Sequence, residues 1–132
     1  MLDLQTAKGM APDDFRVHYY YGRCYLETKE LPKAIDHLKK AFEQNTSGQI
    51  GYYLALAFVR NKEWQNAVIT AEKALQNEDS TFVQAALHYL KSGAHVELGQ
   101  KEDALASAEK CVELNPEDAD YKKHLERLKA NL

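Results

Sequence analysis

The sequence has little that breaks or cross-links a chain. It holds six glycines, three prolines and two cysteines in 132 residues, and no sustained alternation of apolar and polar positions. Sheet is therefore not expected, and helix is the only regular structure the pattern supports. No apolar run approaches the roughly 20 residues of a membrane-spanning helix, and no basic start leads into an apolar stretch of the secretory kind. Positive charge is not in surplus either. The 17 Lys and Arg face 20 Asp and Glu, for a formal net charge of −3. Wholesale nucleic-acid binding needs a basic face that displaces counterions, so this balance argues against it. Cys24 and Cys111 lie far apart with no CxxC or Cys/His spacing. They read as small core residues and favour a reducing compartment.

Catalytic constellations are missing as well. The histidines His18, His37, His88, His95 and His124 are scattered. His88 and His95, seven apart, share a helix face and form the best metal candidate, yet packing explains them better. The glycines build no phosphate-cradling loop. Carboxylates such as Glu102, Asp103, Asp118 and Asp120 fall at helix starts, where they favour the positive end of the dipole. The expectation is a protein that is not an enzyme, with no cofactor and no metal.

What the chain does have is a recurring alanine pair at helical spacing. Ala34 and Ala41, Ala67 and Ala74, and Ala104 and Cys111 are each seven apart, and the pairs follow one another at 33 and then 37 residues. A period of this length marks a solenoid, whose units are too small to fold alone and bury their apolar faces on their neighbours. The spacing predicts a short helix near 2–10, pairs at about 14–28 and 31–45, 48–61 and 64–77, 81–98 and 101–114, and a last helix at about 117–130. Pro32 suits a first helical turn, where a missing N–H costs nothing. Gly99 suits a left-handed turn after a helix. Asn115-Pro116-Glu117-Asp118 predicts a helix start with Asn115 as the cap.

Aligned in phase, the units resemble the tetratricopeptide repeat, a helix–turn–helix of about 34 residues. The resemblance is carried by Gly22, Tyr25, Ala34, Leu38 and Ala41 in the first unit, then by Leu54, Ala55, Phe58, Trp64, Ala67, Ala71 and Ala74 in the second. In the third it is carried by Ser92, His95, Gly99, Ala104, Ala108, Cys111 and Pro116. Lys91 and His95 depart from the pattern, which has an apolar and an aromatic residue there. About three extra residues near Thr81–Gln84 can lengthen the first helix of the third unit. The implied fold is all-α, a right-handed superhelical solenoid of stacked antiparallel helix pairs. Its expected divisions are a half repeat or N-terminal cap (1–14), repeat 1 (15–47), repeat 2 with a short insertion (48–84), repeat 3 (85–118) and a capping helix (119–132). Small residues such as Gly22, Ala34, Ala55 and Ala67 let the helices cross closely. Leu4 and Ala7 before Pro12 look like the second helix of a repeat whose first is missing. This predicts excision from a longer array, with Leu2, Leu4 and Ala7 able to self-associate.

The resemblance further implies a concave wall made of the first, or A, helices, along which a peptide lies. The residues expected on it are Arg16, Tyr19, Tyr20, Arg23 and Glu27, then Gln49, Tyr52, Tyr53, Leu56 and Arg60, then Ala86, Tyr89, Leu90, Gly93 and Glu97. Tyr19, Tyr52 and Tyr89 form one column, and Tyr20 and Tyr53 a second. Tyrosine offers a stiff apolar face with a polar tip at low entropic cost. The expected function is a non-catalytic scaffold for a protein or peptide partner, with no nucleic acid and no membrane insertion. A structural spacer, a self-associating segment of a longer array and a regulatory domain attached to an enzyme are the alternatives. Co-chaperone members of the family grip a terminal carboxylate with lysine, arginine and asparagine. Tyr19, Arg23, Tyr53, Ala86 and Leu90 stand at those places, so tight binding of chaperone tails is not expected.

Overall fold

A computed structural model of the protein describes residues 14–131. The expected helix at 2–10, the half repeat at 1–14 and its apolar residues Leu2, Leu4 and Ala7 lie outside the described residues, Asp14 excepted. Within them run seven helices and no strand: α1 (Phe15–Glu27), α2 (Leu31–Gln44), α3 (Gly48–Arg60), α4 (Trp64–Leu75), α5 (Thr81–Glu97), α6 (Lys101–Leu114) and α7 (Ala119–Ala130). None of these helices is long and apolar enough to cross a membrane.

The helix boundaries follow from two devices that repeat. Each A helix, and α7, starts on a short polar cap: Asp14, Ser47, Ser80 and Asp118 accept from the backbone N–H of Arg16, Ile50, Val83 and Tyr121. Each A helix also ends the same way. The residue after its last turn is left-handed, with φ 64° at Lys29, 60° at Lys62 and 74° at Gly99. The next N–H then reaches back five residues: Glu30 to Tyr25 O, Glu63 to Phe58 O and Gln100 to His95 O, at 2.8–2.9 Å. This satisfies the orphan carbonyls and turns the chain into the B helix. Pro32 sits in the first turn of α2, as its sequence position predicts.

Two local expectations are corrected. The last helix starts at Ala119, close to the expected position, but its cap is Asp118 rather than Asn115. Asn115 instead closes α6, its N–H bonded to Cys111 O at 2.9 Å, and the Asp118 N–H returns to Asn115 O. Pro116 and Glu117 therefore occupy a turn between helices. Cys111 is fully buried, but Cys24 is only half-buried and is not a core residue in the same sense.

The core follows the alanine frame. Ala34, Ala41, Ala55, Ala71, Ala74, Ala104 and Ala108 are fully buried, with Leu38 and Leu87 filling the space between helices. A Cβ on Gly22 would run into Leu38 Cγ and Cδ2, so the α1–α2 crossing needs the missing side chain. The same pair is joined where His18 Nδ1 and His37 Nδ1 share a hydrogen bond at 3.1 Å, with the Tyr25 ring stacked on His37. Lys91, out of pattern by its charge, reaches Glu72 on α4 at 3.7 Å. His95 bonds through Nδ1 to Gln100 Oε1 at 2.6 Å.

Packing is asymmetric between the two sides of the stack. Each B helix packs on its own A helix and on the next one. The A helices also meet one another, α3 against α5 and more thinly α1 against α3, while no comparable packing joins α2 to α4 or α4 to α6. Helices close on one side and splayed on the other curve the stack, with the A helices inside.

Candidate functional site

The inner side is built from the faces of α1, α3 and α5 that the core does not use. Tyr19 and Tyr20 on α1 are half-buried and touch ring to ring at 5.9 Å. Tyr19 also meets Tyr53 of α3 edge-on at 5.7 Å, and Tyr53 meets Tyr52 at 5.3 Å. The Arg23 guanidinium lies over the Tyr53 ring at 4.7 Å and the Tyr19 ring at 5.5 Å. These cation–π contacts hold a half-buried charge against aromatic faces. Burial raises the Tyr19 phenol above its ordinary value. Its buried hydroxyl has no partner at strict hydrogen-bond geometry, although Arg23 and Gln49 lie near enough to oppose part of that rise. Burial, and then Tyr53, raises Tyr52 as well. These phenols therefore stay protonated at neutral pH and present O–H donors.

Two hollows flank Tyr53. One, of about 240 Å³, is lined by Arg23, Leu26, Glu27, Tyr53, Leu56 and Arg60. The other, of about 450 Å³, is lined by Gln49, Tyr52, Tyr53, Phe82, Val83, Ala86 and Tyr121 and carries no charged side chain. Tyr53 belongs to both.

Several expected wall residues are brought together in this way, and others are not. Arg16 is exposed and tied to its own helix cap, with Nη2 on Asp14 Oδ2 at 2.8 Å. Leu90 packs against the core cluster. Glu97 is exposed at the end of α5 and lines neither hollow. Tyr89 turns toward α7, its ring 5.1 Å from both Tyr121 and His124. A Cβ added to Gly93 would meet nothing within 4 Å, so that stretch of α5 is open. His95 Nδ1 is held by Gln100, and no group of three or more potential metal ligands occurs among the described residues.

Phe82, Val83 and Tyr121 are the residues of the larger hollow that sequence reasoning missed. Phe82 stands 71% exposed on the first turn of α5. That helix has 17 residues where α1 and α3 have 13, one extra turn. The signal was present in the wider spacing between the second and third units. Tyr121 comes from α7, which is pinned to α5 by a buried relay. Ser92 Oγ donates to Ala104 O at 2.7 Å, so it accepts from His124 Nε2, also at 2.7 Å. Burial, with Asp118, Cys111, Tyr52 and Tyr89 nearby, pushes the Tyr121 phenol up to about 12. Tyr121 thus links Tyr89 to the cleft that Tyr52 lines.

Antiparallel helix pairs stacked in phase, with one set of helices inside, define a helical-repeat solenoid. Tetratricopeptide repeat patterns match residues 3–50 and residues 85–118, and the chain belongs to the tetratricopeptide repeat family. Solved structures agree on the fold. The Arabidopsis OM64 TPR domain superposes with a TM-score of 0.81 at 21% identity, over 89% of this chain and 96% of that one. MamA gives a TM-score of 0.85 at 19% identity, over 97% of this chain and 73% of that one. The first TPR of Spaghetti (RPAP3), bound to the HSP90 peptide SRMEEVD, gives 0.81 at 18% identity over 92% and 95%. Among curated proteins none matches the chain. Domains of this family generally mediate protein–protein interaction.

Proposed function

We propose that this chain is a non-catalytic scaffold that holds an extended peptide segment along the inner wall of its A helices. The contact residues are drawn from Tyr19, Tyr20, Arg23, Gln49, Tyr52, Tyr53, Leu56, Arg60, Ala86 and Tyr89. The observation that carries this reading is the unbroken run of Tyr19, Tyr53 and Tyr52 beneath Arg23, beside a cleft of about 450 Å³. Half-exposed tyrosines contribute contact area with little rotamer entropy to lose. The reading is tested by titrating binding peptides against the wild type, Tyr19→Ala and Tyr52→Ala. Losing one such ring from a groove contact should weaken binding by about 1–3 kcal/mol. Unchanged affinity in both variants refutes it.

The wall is not a carboxylate clamp. Of the places that carry the clamp in co-chaperone relatives, Tyr19, Tyr53, Ala86 and Leu90 supply no cation, which leaves Arg23 as the one basic residue among them. A lone guanidinium does not provide the several charge-assisted bonds that such a grip requires. Titration with the peptide SRMEEVD should show no tight binding, and submicromolar affinity would overturn this part of the reading.

A further inference from the structure

The two hollows that share Tyr53 differ in charge, and the difference specifies a ligand. Arg23 and Arg60 both line the smaller one. Neither has a carboxylate partner among the described residues, where the ion pairs engage Arg16, Lys33, Lys40, Lys91 and Lys110 instead. Glu27 is the one acid on that rim, so two cations face a single exposed carboxylate. Arg23 is oriented by its rings, which removes part of the entropy a free arginine would lose on pairing. The larger hollow is neutral and aromatic. Phe82, carried there by the extra turn of α5, leaves 71% of its surface in water. Tyr121 closes the opposite side from α7.

Resting on the groove reading above, we infer that the bound peptide carries an acidic side chain in the Arg23–Arg60 hollow and a proline or aromatic side chain in the Tyr52–Phe82–Tyr121 cleft. One aromatic ring separates the two hollows. An extended chain advances about 3.3 Å per residue, so the two anchors stand roughly two to three residues apart. The acid supplies the charge that Arg23 and Arg60 lack. The ring or proline stacks on aromatic faces and covers Phe82. An apolar side chain in the arginine hollow would strip water from two cations without replacing it, and a charge in the cleft would lose hydration to an uncharged wall.

The test is selection from a displayed library of random dodecapeptides on the immobilised chain, with Tyr53→Ala, Phe82→Ser and the double variant Arg23→Gln/Arg60→Gln as parallel targets. Arg60 and Phe82 are exposed, so the fold is expected to persist, and circular dichroism checks each variant. Selected peptides should pair Asp or Glu with Pro, Phe, Tyr or Trp two to three positions away. Their affinity should fall about tenfold or more on the double arginine variant and on Phe82→Ser. The arginine variant should select peptides without the acid. Peptides that need Tyr53 but lack the paired motif, or that bind the arginine variant equally well, overturn this inference and leave the groove intact. Peptides indifferent to Tyr53→Ala, or no selected peptides at all, overturn the groove reading itself.

Discussion

The same substitution, glycine to alanine, should have opposite effects at two A-helix positions that are neighbours in the repeat frame. Gly22 is buried at the α1–α2 crossing, where an added Cβ would meet Leu38 Cγ, Leu38 Cδ2 at 2.6 Å and Ala34 O at 3.4 Å. Leu38 is fully buried, so it cannot swing out into solvent to make room. Overpacking of this kind costs about 1–3 kcal/mol. The gain in helix propensity offsets about 1 kcal/mol of that, leaving Gly22→Ala destabilised by about 0–2 kcal/mol. At Gly93 nothing lies within 4 Å of the new Cβ, so only the propensity gain remains and the variant should be stabilised by about 0.5–1 kcal/mol. Urea unfolding followed by circular dichroism reads both. With a slope of about 1–3 kcal/mol per molar for a chain of this size, the two midpoints should move apart by the order of 1 M. Equal shifts, or a Gly22→Ala variant more stable than the wild type, would refute the claim that the absent side chain sets the crossing distance.

Four other outcomes follow from the same geometry. Lys62→Gly should stabilise by about 0.5–1 kcal/mol in urea unfolding, because φ 60° strains a lysine and not a glycine. Ser92→Ala should destabilise by about 1–3 kcal/mol, since it leaves His124 Nε2 without its partner at the α5–α7 seam; proteolysis should then release α7 first. Burial, with Lys91 and Lys110 nearby, lowers His88 to about 4. The unfolded state therefore takes up a proton near pH 6.5 that the folded state refuses. His88 favours the fold above that pH, and the contribution is lost as pH falls from about 6.5 toward 4. His88→Leu should flatten the loss measured by urea midpoints, although His37 and His124, also lowered by burial, keep some of it. Burial pushes the Cys111 thiol up to about 12, so native protein should resist thiol alkylation at Cys111 until unfolded.

The architecture was legible because stacking constrains residue size at fixed intervals. The alanine pairs, Gly22 and the position of Gly99 report directly on close crossings and a left-handed turn. Lys29 and Lys62 adopt the same turn as Gly99, but lysine carries no mark of positive φ, and only alignment with Gly99 discloses it. Asn115 and Asp118 are both good caps, and Pro116 fits a turn as well as a helix start. The choice is made by the Asn115 N–H, which finishes α6. The bond between His18 and His37, and the ion pair that admits Lys91, join residues on different helices, so spacing along one helix could not reveal them. The tyrosine wall was half legible. Helical phase put Tyr19, Tyr52 and Tyr53 on the inner face, but not the rotation of Tyr89 toward α7. Tyr121 reads from sequence as one more apolar residue in a capping stripe, yet its ring serves the seam and the cleft together.

Residues that obey the period and residues that break it are under different constraints here. A position that repeats must fit the same crossing three times, so its size is set by the neighbouring helix and it is buried in the answer. A position on the inner wall touches its neighbours through side chains without setting a helix crossing, and is freer to differ from unit to unit. The distinguishing features of this wall are all of the second kind. The extra turn of α5 occurs in one unit and brings Phe82 to the cleft; Arg23 and Arg60 occur on α1 and α3 but not on α5; Tyr121 comes from the helix that ends the stack. It follows that swapping α5 for a 13-residue A helix, or removing α7, would preserve stacked pairs while dismantling the larger hollow. Conversely, enlarging Ala67 or Gly22 would disturb the stack before it touched the wall. Stability and the proposed recognition thus rest on separable residue sets, joined at Tyr53 and Tyr121, where one ring packs on its neighbours and lines the proposed groove.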